Sequence, residues 1–446
     1  MRSILNISCF CAAALTLASC TAGKRINRSA ERILLGQEGI RNAHVGISLF
    51  DVDKEKYLYN HQADKYFVPA SNTKLFSLYA ALRFLGDSLP GIRYHETPDS
   101  IYLEAAGDPT LLHPDFKEQP VIDWLKKSGK ELVIGDRNWN EKEFGYGWSW
   151  DDFNSAYMAE RSPLPVYGNV IRWTQVMEKT ETPDGKMADE AFVFSEPEVS
   201  WKVRFNPAKS NNFVVVRERN DNIFYVTEGK EILRTVEVPF VTNGVLSAVD
   251  LLRDTIGRSV LYVPAGVTLP VTNIRYSQRT DSMLSVMMHR SDNLFAEQVL
   301  LMVSQQLTGG MKTSLVIDTL LKTDLNGLPQ APRWVDGSGL SRYNQFTPQD
   351  FVWILQKMLN EFGAGRLNTI LPGANQGTLA SYYKGLEGAF YAKTGTLSGQ
   401  VALSGYLTTR KGRRLIFSVL VNNHQTSAVV VRRGVESFLR DVYENY

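Results

Sequence analysis

A serine and a lysine three residues apart, Ser71 and Lys74, are the first candidates for chemistry in this sequence. On a helix these two positions share a face, so the lysine ammonium can approach the serine hydroxyl. A serine hydroxyl is a weak nucleophile until a base takes its proton, and lysine can do so where burial or a second cation disfavours its charged form. The pair therefore predicts a nucleophilic serine and its general base. The alternative is that Ser71 only caps a helix and Lys74 is solvated.

A second group of polar side chains lies at Ser291-Asp292-Asn293. The Ser291 hydroxyl could relay a proton between Lys74 and a leaving amine. The Asn293 amide could hold Lys74 or a substrate carbonyl in position. An exposed polar turn of a helix is the alternative role for these residues.

A third group of candidate residues is Lys393-Thr394-Gly395. Of the Lys-Thr dipeptides in the chain, this is the one that is followed by glycine. Lys393 and Thr394 could bind an anion, most simply the terminal carboxylate of a peptide. Lys393 could also be the second cation beside Lys74. Gly395 lacks a side chain where substrate backbone would lie against a strand edge. The alternative is an ordinary hairpin strand.

The pattern of apolar residues indicates which elements position these groups. Pro69-Ala70 precedes Ser71, and apolar residues then recur at helical spacing up to Gly86, which places Ser71 in the first turn of a buried helix. A helical pattern over Asp281–Gln306 contains Ser291. Alternation predicts a hairpin over 43–60, strands over 390–423 with a turn at 409–412, and a final helix over 427–446.

This order of elements predicts an α+β fold, in which a sheet is flanked by its own N- and C-terminal helices. Residues 93–278 instead show short strands, turns and aromatic-rich loops, as an insertion would. We therefore expect one domain over 29–92 and 279–446, interrupted by an inserted accessory region over 93–278.

The cysteines are confined to the N-terminus of the 446-residue chain, at Cys9, Cys11 and Cys20. This excludes a disulfide scaffold, a thiol enzyme and a thiolate metal site. A short apolar run predicts a signal peptide over 1–19. Its end, Leu17-Ala18-Ser19-Cys20, resembles the lipobox of bacterial lipoproteins, so Cys20 is the expected lipid attachment site and 20–28 the tether. An ordinary signal peptide with a chance cysteine is the alternative.

Charge and histidine content narrow the functional classes further. The net charge of +2 is too small for a surface that tracks phosphates, so we expect no nucleic-acid partner. The six histidines are scattered and form no ligand-like pair, so we expect no metal and no cofactor.

Together the three motifs resemble those of serine β-lactamases and penicillin-binding proteins. The match extends to Gly107-Asp108-Pro109-Thr110-Leu111 and Asp336-Gly337-Ser338-Gly339. With its long separation between Ser71 and Ser291, the chain resembles the penicillin-binding protein 4 family, the class C low-molecular-mass D-alanyl-D-alanine carboxypeptidases and endopeptidases.

The resemblance implies a penicillin-recognising fold with a domain inserted after the nucleophile helix. It implies that Ser71 attacks the amide between two D-alanines, or a D-alanyl cross-link, of peptidoglycan. In the family pattern, backbone NH groups of Ser71 and Thr396 form the oxyanion hole, and β-lactams acylate the serine as inhibitors. With the lipid anchor on Cys20, this implies an envelope protein on the periplasmic side of a membrane.

Three other functions remain open at this stage. A β-lactamase would hydrolyse the acyl-enzyme rapidly, and the long insertion argues against it. A lipid-anchored cell-wall binding protein would not need Ser71, Lys74 and Lys393 together. A histidine-dependent serine hydrolase is disfavoured because the sequence has no Gly-x-Ser-x-Gly motif.

Overall fold

The computed structural model describes residues 23–446 except Lys209 and Ala265. The predicted signal peptide and its cysteines, and the predicted lipid site Cys20, lie outside the described residues. Within the described part of the chain, no helix combines the length and the apolar character needed to cross a membrane.

Strands and helices alternate irregularly along the chain. The strands are β1 (His44–Asp51), β2 (Lys56–His61), β3 (Ser88–Glu96), β4 (Ser100–Ala105), β5 (Glu131–Gly135), β6 (Val170–Glu181), β7 (Met187–Glu196), β8 (Lys202–Asn206), β9 (Val214–Arg217), β10 (Ile223–Thr227), β11 (Leu233–Pro239), β12 (Val260–Val263), β13 (Asn273–Arg279), β14 (Phe390–Leu397), β15 (Gln400–Thr408) and β16 (Arg414–Asn422). The α-helices after residue 73 are α1 (Lys74–Phe84), α2 (Pro120–Lys127), α3 (Leu246–Ile256), α4 (Thr280–Arg290), α5 (Asn293–Thr308), α6 (Thr313–Lys322), α7 (Pro348–Ile370) and α8 (Ala428–Asn445).

Residue contacts divide the chain into two units. The first contains the described residues up to Tyr79, with Leu284–Ser291 and Leu320–Tyr446; the second contains Ala80–Met283 and Asp292–Thr319. The domain boundaries expected from the sequence stay predictions, since a division by contacts does not by itself define folding units.

The first unit is built on an antiparallel sheet of order β14-β15-β16-β1-β2. This confirms the predicted N-terminal hairpin and the predicted strands near the C-terminus. Helix α8 confirms the final predicted helix, and the Ser427 hydroxyl caps it by accepting from the Val430 amide. Leu49 and Phe417 from the sheet and Phe438 from α8 are all buried in one apolar core.

The nucleophile segment folds as a short 3₁₀ turn, Ala70–Thr73, which continues into α1. Phe76 in the first turn of α1 is fully buried and packs against Trp334 and Phe346, with ring centroids 5.6 and 4.6 Å away. These ring contacts fix the start of α1, and with it the turn that carries Ser71.

The helical segment predicted over Asp281–Gln306 is interrupted, and a single helix there is wrong. Helix α4 ends at Arg290, Ser291 takes the left-handed backbone conformation with φ 61°, and α5 begins at Asn293. The Asp292 carboxylate caps α5 by accepting from the Phe295 amide at 2.9 Å. Apolar residues continue at helical spacing through this break because both helices are buried, so periodicity alone does not reveal it.

The second unit contains the other sheets. A mixed sheet has the order β12-β5-β4-β3-β13, and three-stranded sheets have the orders β8-β10-β9 and β11-β6-β7. A separate apolar core includes Ile134, Trp173, Phe224 and Phe240.

Candidate active site

Ser71 and Lys74 lie together as the sequence pattern requires. The Lys74 Nζ is 3.0 Å from Ser71 Oγ and donates to the Ser338 carbonyl at 2.8 Å. Lys74 is 0% exposed, whereas Ser71 is partly accessible and faces an open cleft. Lys74 is therefore a buried partner of the hydroxyl, unlike the solvated side chain of the alternative interpretation.

Ser291 and Lys393 form a second pair in the same unit. The Lys393 Nζ donates to Ser291 Oγ and to the Thr394 carbonyl, each at 2.8 Å. The positive φ of Ser291 places its hydroxyl at the break between α4 and α5. Lys393 itself is 0% exposed and lies on β14.

The electrostatics of Lys393 reflect this burial. Loss of solvent holds the pKa of Lys393 well below its usual value, and the positive charges of Lys74 and Arg432 lower it further. Burial and the neighbouring positive charges therefore both disfavour the charged form of Lys393.

Lys393→Met is expected to change the pH dependence of stability. A lysine whose pKa is depressed in the folded state binds a proton more readily when unfolded, so wild-type stability rises with pH between the folded pKa and the unfolded value of 10.5. We therefore compare the free energy of unfolding of the wild type with that of the variant. The difference, wild type minus variant, should rise over that pH range by up to about 1.4 kcal/mol per pH unit. Urea denaturation from neutral to alkaline pH measures this difference. A difference that stays constant or falls with pH would contradict this prediction. Lys384→Met, which replaces an exposed lysine, is the control.

Gly395 is the point where β14 meets the nucleophile turn. A Cβ at this position would lie 2.7 Å from the Pro69 carbonyl oxygen and 3.0 and 3.1 Å from the backbone nitrogens of Ser71 and Asn72. The strand and the turn can approach this closely only because residue 395 has no side chain. From the sequence we expected Gly395 to leave room for substrate backbone, and the structure adds this packing role.

A loop that follows α6 contacts the segment that carries Ser71 and Lys74. The buried Asp336 carboxylate accepts from the backbone NH groups of Gly339 at 2.9 Å and Ser341 at 2.6 Å. This fixes the loop so that the Ser338 carbonyl meets Lys74 and the Gly337 carbonyl accepts from Ser77 at 2.7 Å. In the sequence this segment stands out only as part of a family resemblance, and nothing in it indicates the contact with Lys74.

Asn293 belongs to the second unit, where its side-chain amide donates to the Tyr157 carbonyl at 2.8 Å. Its predicted part in positioning Lys74 or substrate stays a prediction.

The cleft in the first unit encloses roughly 600 Å³ of empty space, and Ser71, Ser291, Thr378, Thr394, Thr396 and Arg432 line it. The Thr394 hydroxyl donates to the Thr378 hydroxyl at 2.8 Å, and the Arg432 guanidinium donates to the Thr396 hydroxyl at 2.6 Å. Thr378 and Arg432 could not be predicted from the sequence, since neither belongs to a motif and only the fold brings them to β14. In the described range, no cluster of three or more His, Cys, Asp or Glu side chains could hold a metal ion.

This arrangement can support acyl transfer. Ser71 lies next to the buried amine of Lys74, and the same cleft is lined by Ser291, whose hydroxyl accepts from Lys393. These groups provide a nucleophile, a base and a route for a proton. The threonine hydroxyls and the guanidinium that line the cleft can bind an anionic group.

Comparison with known proteins supports this chemistry. Residues 27–440 match the D-Ala-D-Ala carboxypeptidase 3 (S13) family. The chain is 30% identical to a D-alanyl-D-alanine carboxypeptidase of Actinomadura sp. strain R39 over 91% of this chain and 83% of that protein. It is 21% identical to a D-alanyl-D-alanine carboxypeptidase of Haemophilus influenzae, over 92% of each chain.

The fold resembles solved structures of the same kind. Penicillin-binding protein 4 from Haemophilus influenzae superposes with a TM-score of 0.71 at 19% identity, over 94% of this chain and 98% of that one. A predatory endopeptidase from Bdellovibrio bacteriovorus superposes with a TM-score of 0.52 at 15% identity, over 90% and 94%. The predicted penicillin-recognising α+β fold is thereby confirmed, and the chain belongs to the D-Ala-D-Ala carboxypeptidase 3 (S13) family of serine peptidases.

Proposed function

We propose that this enzyme cleaves the D-alanyl peptide bond of peptidoglycan stem peptides through an acyl-enzyme on Ser71. Ser71 Oγ bonds to the carbonyl carbon while its proton passes to Lys74 Nζ. The single observation that carries this assignment is the 3.0 Å contact between a partly accessible hydroxyl and the amine of a fully buried lysine. Burial of Lys74 favours a neutral amine that can take the proton.

The later steps use the second pair. The C–N bond breaks as the leaving amine takes a proton from the Ser291 hydroxyl. Ser291 regains a proton from Lys74, which held the one taken from Ser71, so Lys74 is neutral again and can accept a proton from the attacking water. Backbone NH groups of Ser71 and Thr396 stabilise the oxyanion. Water then hydrolyses the ester, which restores the Ser71 hydroxyl and releases the acid. Asn293 positions the base or the substrate.

The substrates are D-Ala-D-Ala stem termini, D-alanyl cross-links, or both. Relatives include proteins described as carboxypeptidases and as endopeptidases, so the family accommodates either bond. β-Lactams should acylate Ser71 as substrate mimics, and Haemophilus influenzae penicillin-binding protein 4 is known in complex with one.

Retention of labelled penicillin tests this proposal against a β-lactamase. We expect a stable covalent label on the wild-type protein, and release of D-alanine from uncross-linked muropeptides. Rapid release of hydrolysed penicillin would indicate a β-lactamase. Absence of both labelling and muropeptide cleavage would indicate a binding protein. Parallel digestion of cross-linked muropeptides decides whether cross-links are also cut.

The N-terminus supports a second proposal, attachment to a membrane of the bacterial cell envelope through a lipid on Cys20. Two or more acyl chains are needed for stable anchoring, because each buried methylene contributes about 0.8 kcal/mol. Wild-type protein expressed in bacteria should therefore partition into the detergent phase, and Cys20→Ala should move it to the aqueous phase. Equal partitioning of the two proteins contradicts the anchor.

A further inference from the structure

The first described residue lies very close in the chain to the proposed lipid site. Two residues separate Cys20 from Gly23, and residues 23–30 are helical. A fully extended chain covers at most about 3.6 Å per residue, so Gly23 lies within about 11 Å of Cys20. A lipid on Cys20 therefore holds the folded protein directly against the headgroups, because the connection is too short to act as a long tether.

The helix over 23–30 is fixed to the C-terminal end of α8. Ile26 is buried in the apolar core of the first unit. The Arg25 guanidinium donates to the side-chain oxygen of Asn445 at 2.5 Å. These contacts tie the attachment point to the first unit, so the C-terminal end of α8 is the part of that unit that lies nearest the membrane.

Two turns of the sheet meet the same end of α8. In the turn between β15 and β16, the Lys411 amine donates to the Asn445 carbonyl at 3.1 Å. At the turn between β1 and β2, the Asp51 carboxylate accepts from the Tyr446 hydroxyl at 2.8 Å. Four segments thus form one surface, which we call the basic end: 23–32, 51–56, 409–414 and 441–446.

The basic end carries an excess of positive charge. Its side chains include ten Lys and Arg against six Asp and Glu, whereas the whole chain has a net charge of +2, so the remaining side chains are slightly acidic in sum. Lys24, Arg28 and Lys411 are exposed and make no ion pair with any described residue. Cations attract anionic headgroups over about one Debye length, about 10 Å at 0.1 M salt. The surface that the short connection places nearest the membrane therefore has the charge that suits it.

We propose that the basic end docks on the anionic surface of the membrane that carries the lipid anchor, so that lipid and charge together fix the orientation of the first unit. This inference rests on the proposed attachment through Cys20 and not on the peptidase reaction. A lipid holds one point of the protein and leaves it able to pivot. Contacts between several cations and the headgroups restrict this pivoting.

Helix α8 then limits how far the cleft stands from the membrane. Arg432 lines the cleft, and Asn445 belongs to the basic end. The 13 residues between these positions correspond to about 20 Å along the helix, at about 1.5 Å per residue. The docked enzyme therefore acts on peptides close to the membrane that holds it.

The test places a fluorescent label at either end of α8. Because Cys20 carries the lipid, a cysteine introduced by Thr408→Cys or Val429→Cys is the only free thiol of the mature protein. Thr408 is exposed beside the turn of the basic end, and Val429 is exposed in the first turn of α8. The full-length lipidated variants are inserted into vesicles of phosphatidylethanolamine and phosphatidylglycerol that contain a headgroup-linked nitroxide quencher.

We expect the label at position 408 to lose most of its fluorescence and the label at position 429 to keep most of its fluorescence. In 1 M salt the Debye length falls to about 3 Å, so the quenching at position 408 should weaken although the protein stays on the vesicles. Replacement of phosphatidylglycerol by neutral phosphatidylcholine should have the same effect.

Substitution of lysines separates charge from the lipid. Lys24→Gln combined with Lys411→Gln should weaken the quenching at position 408 in low salt. Lys65→Gln combined with Lys322→Gln is the matched control, since it removes the same charge from exposed lysines outside the basic end and should leave the quenching unchanged.

Two results would overturn the docking on a protein that floats with the vesicles. One is similar quenching, strong or weak, at both positions. The other is quenching at position 408 that does not change with salt, with lipid charge or with the substitutions in the basic end. If the wild-type protein does not float with the vesicles, the proposed anchor fails, and the docking fails with it.

Discussion

Ser71→Ala is expected to abolish both stable penicillin labelling and D-alanine release, with turnover falling by at least about 10⁴-fold. The substitution removes the one atom that forms the covalent bond. The buried lysines and the cleft remain, so residual activity can come only from water attack on a bound peptide. Gel detection of labelled penicillin and a D-alanine assay measure the two effects.

Ser381→Ala is the matched control for this variant. Ser381 begins the other Ser-x-x-Lys sequence in the chain, but it lies exposed in a turn, and its lysine, Lys384, is exposed as well. Labelling and turnover should remain as in wild type. If Ser71→Ala kept either property while Ser381→Ala lost it, the assignment of the nucleophile would be wrong. Both variants replace one hydroxyl, so their unfolding midpoints should stay close to that of wild type.

Local patterns in the sequence were sufficient where the chemistry is local. Ser71 and Lys74 are three residues apart, and the 3₁₀ turn leading into α1 keeps them in contact as any helical turn would. The antiparallel pairing of β1 with β2 likewise follows from alternation around a short turn.

Other features depend on contacts between distant parts of the chain. The Ser338 carbonyl meets Lys74, and Arg432 meets Thr396, across long stretches of sequence. The spacing of apolar residues does not predict such contacts. They follow from the strand order β14-β15-β16-β1-β2 and from the packing of helices on that sheet. The break between α4 and α5 at Ser291 could have been predicted in part. Aspartate is a preferred N-cap residue, so Asp292 indicates where α5 begins.

The edge position of β14 explains why a single strand carries so much of the site. One side of β14 pairs with β15. On the other side its first residues bond to the backbone at 372–374, and the part that follows has no strand partner in this sheet. Gly395 brings this edge against the backbone of Ser71, while Lys393 is held beneath it. Substrate backbone can then lie along the edge with its carbonyl next to Ser71, which is how a strand edge commonly receives an extended peptide.

Lys74→Met should lower kcat for D-alanine release about 10²- to 10⁴-fold while Ser71 stays in place. Methionine fills a similar volume in the buried site but cannot accept the Ser71 proton, so acylation by penicillin should slow by a similar factor. Stopped-flow acylation and D-alanine release at several pH values measure the effect. Lys384→Met, the lysine of the exposed Ser-x-x-Lys sequence, is the control and should keep the wild-type rate and pH profile. If the Lys74→Met enzyme were acylated at the wild-type rate, the base would be another group. Lys393 would then be the first to test, because its amine is hydrogen-bonded to Ser291, which lines the cleft.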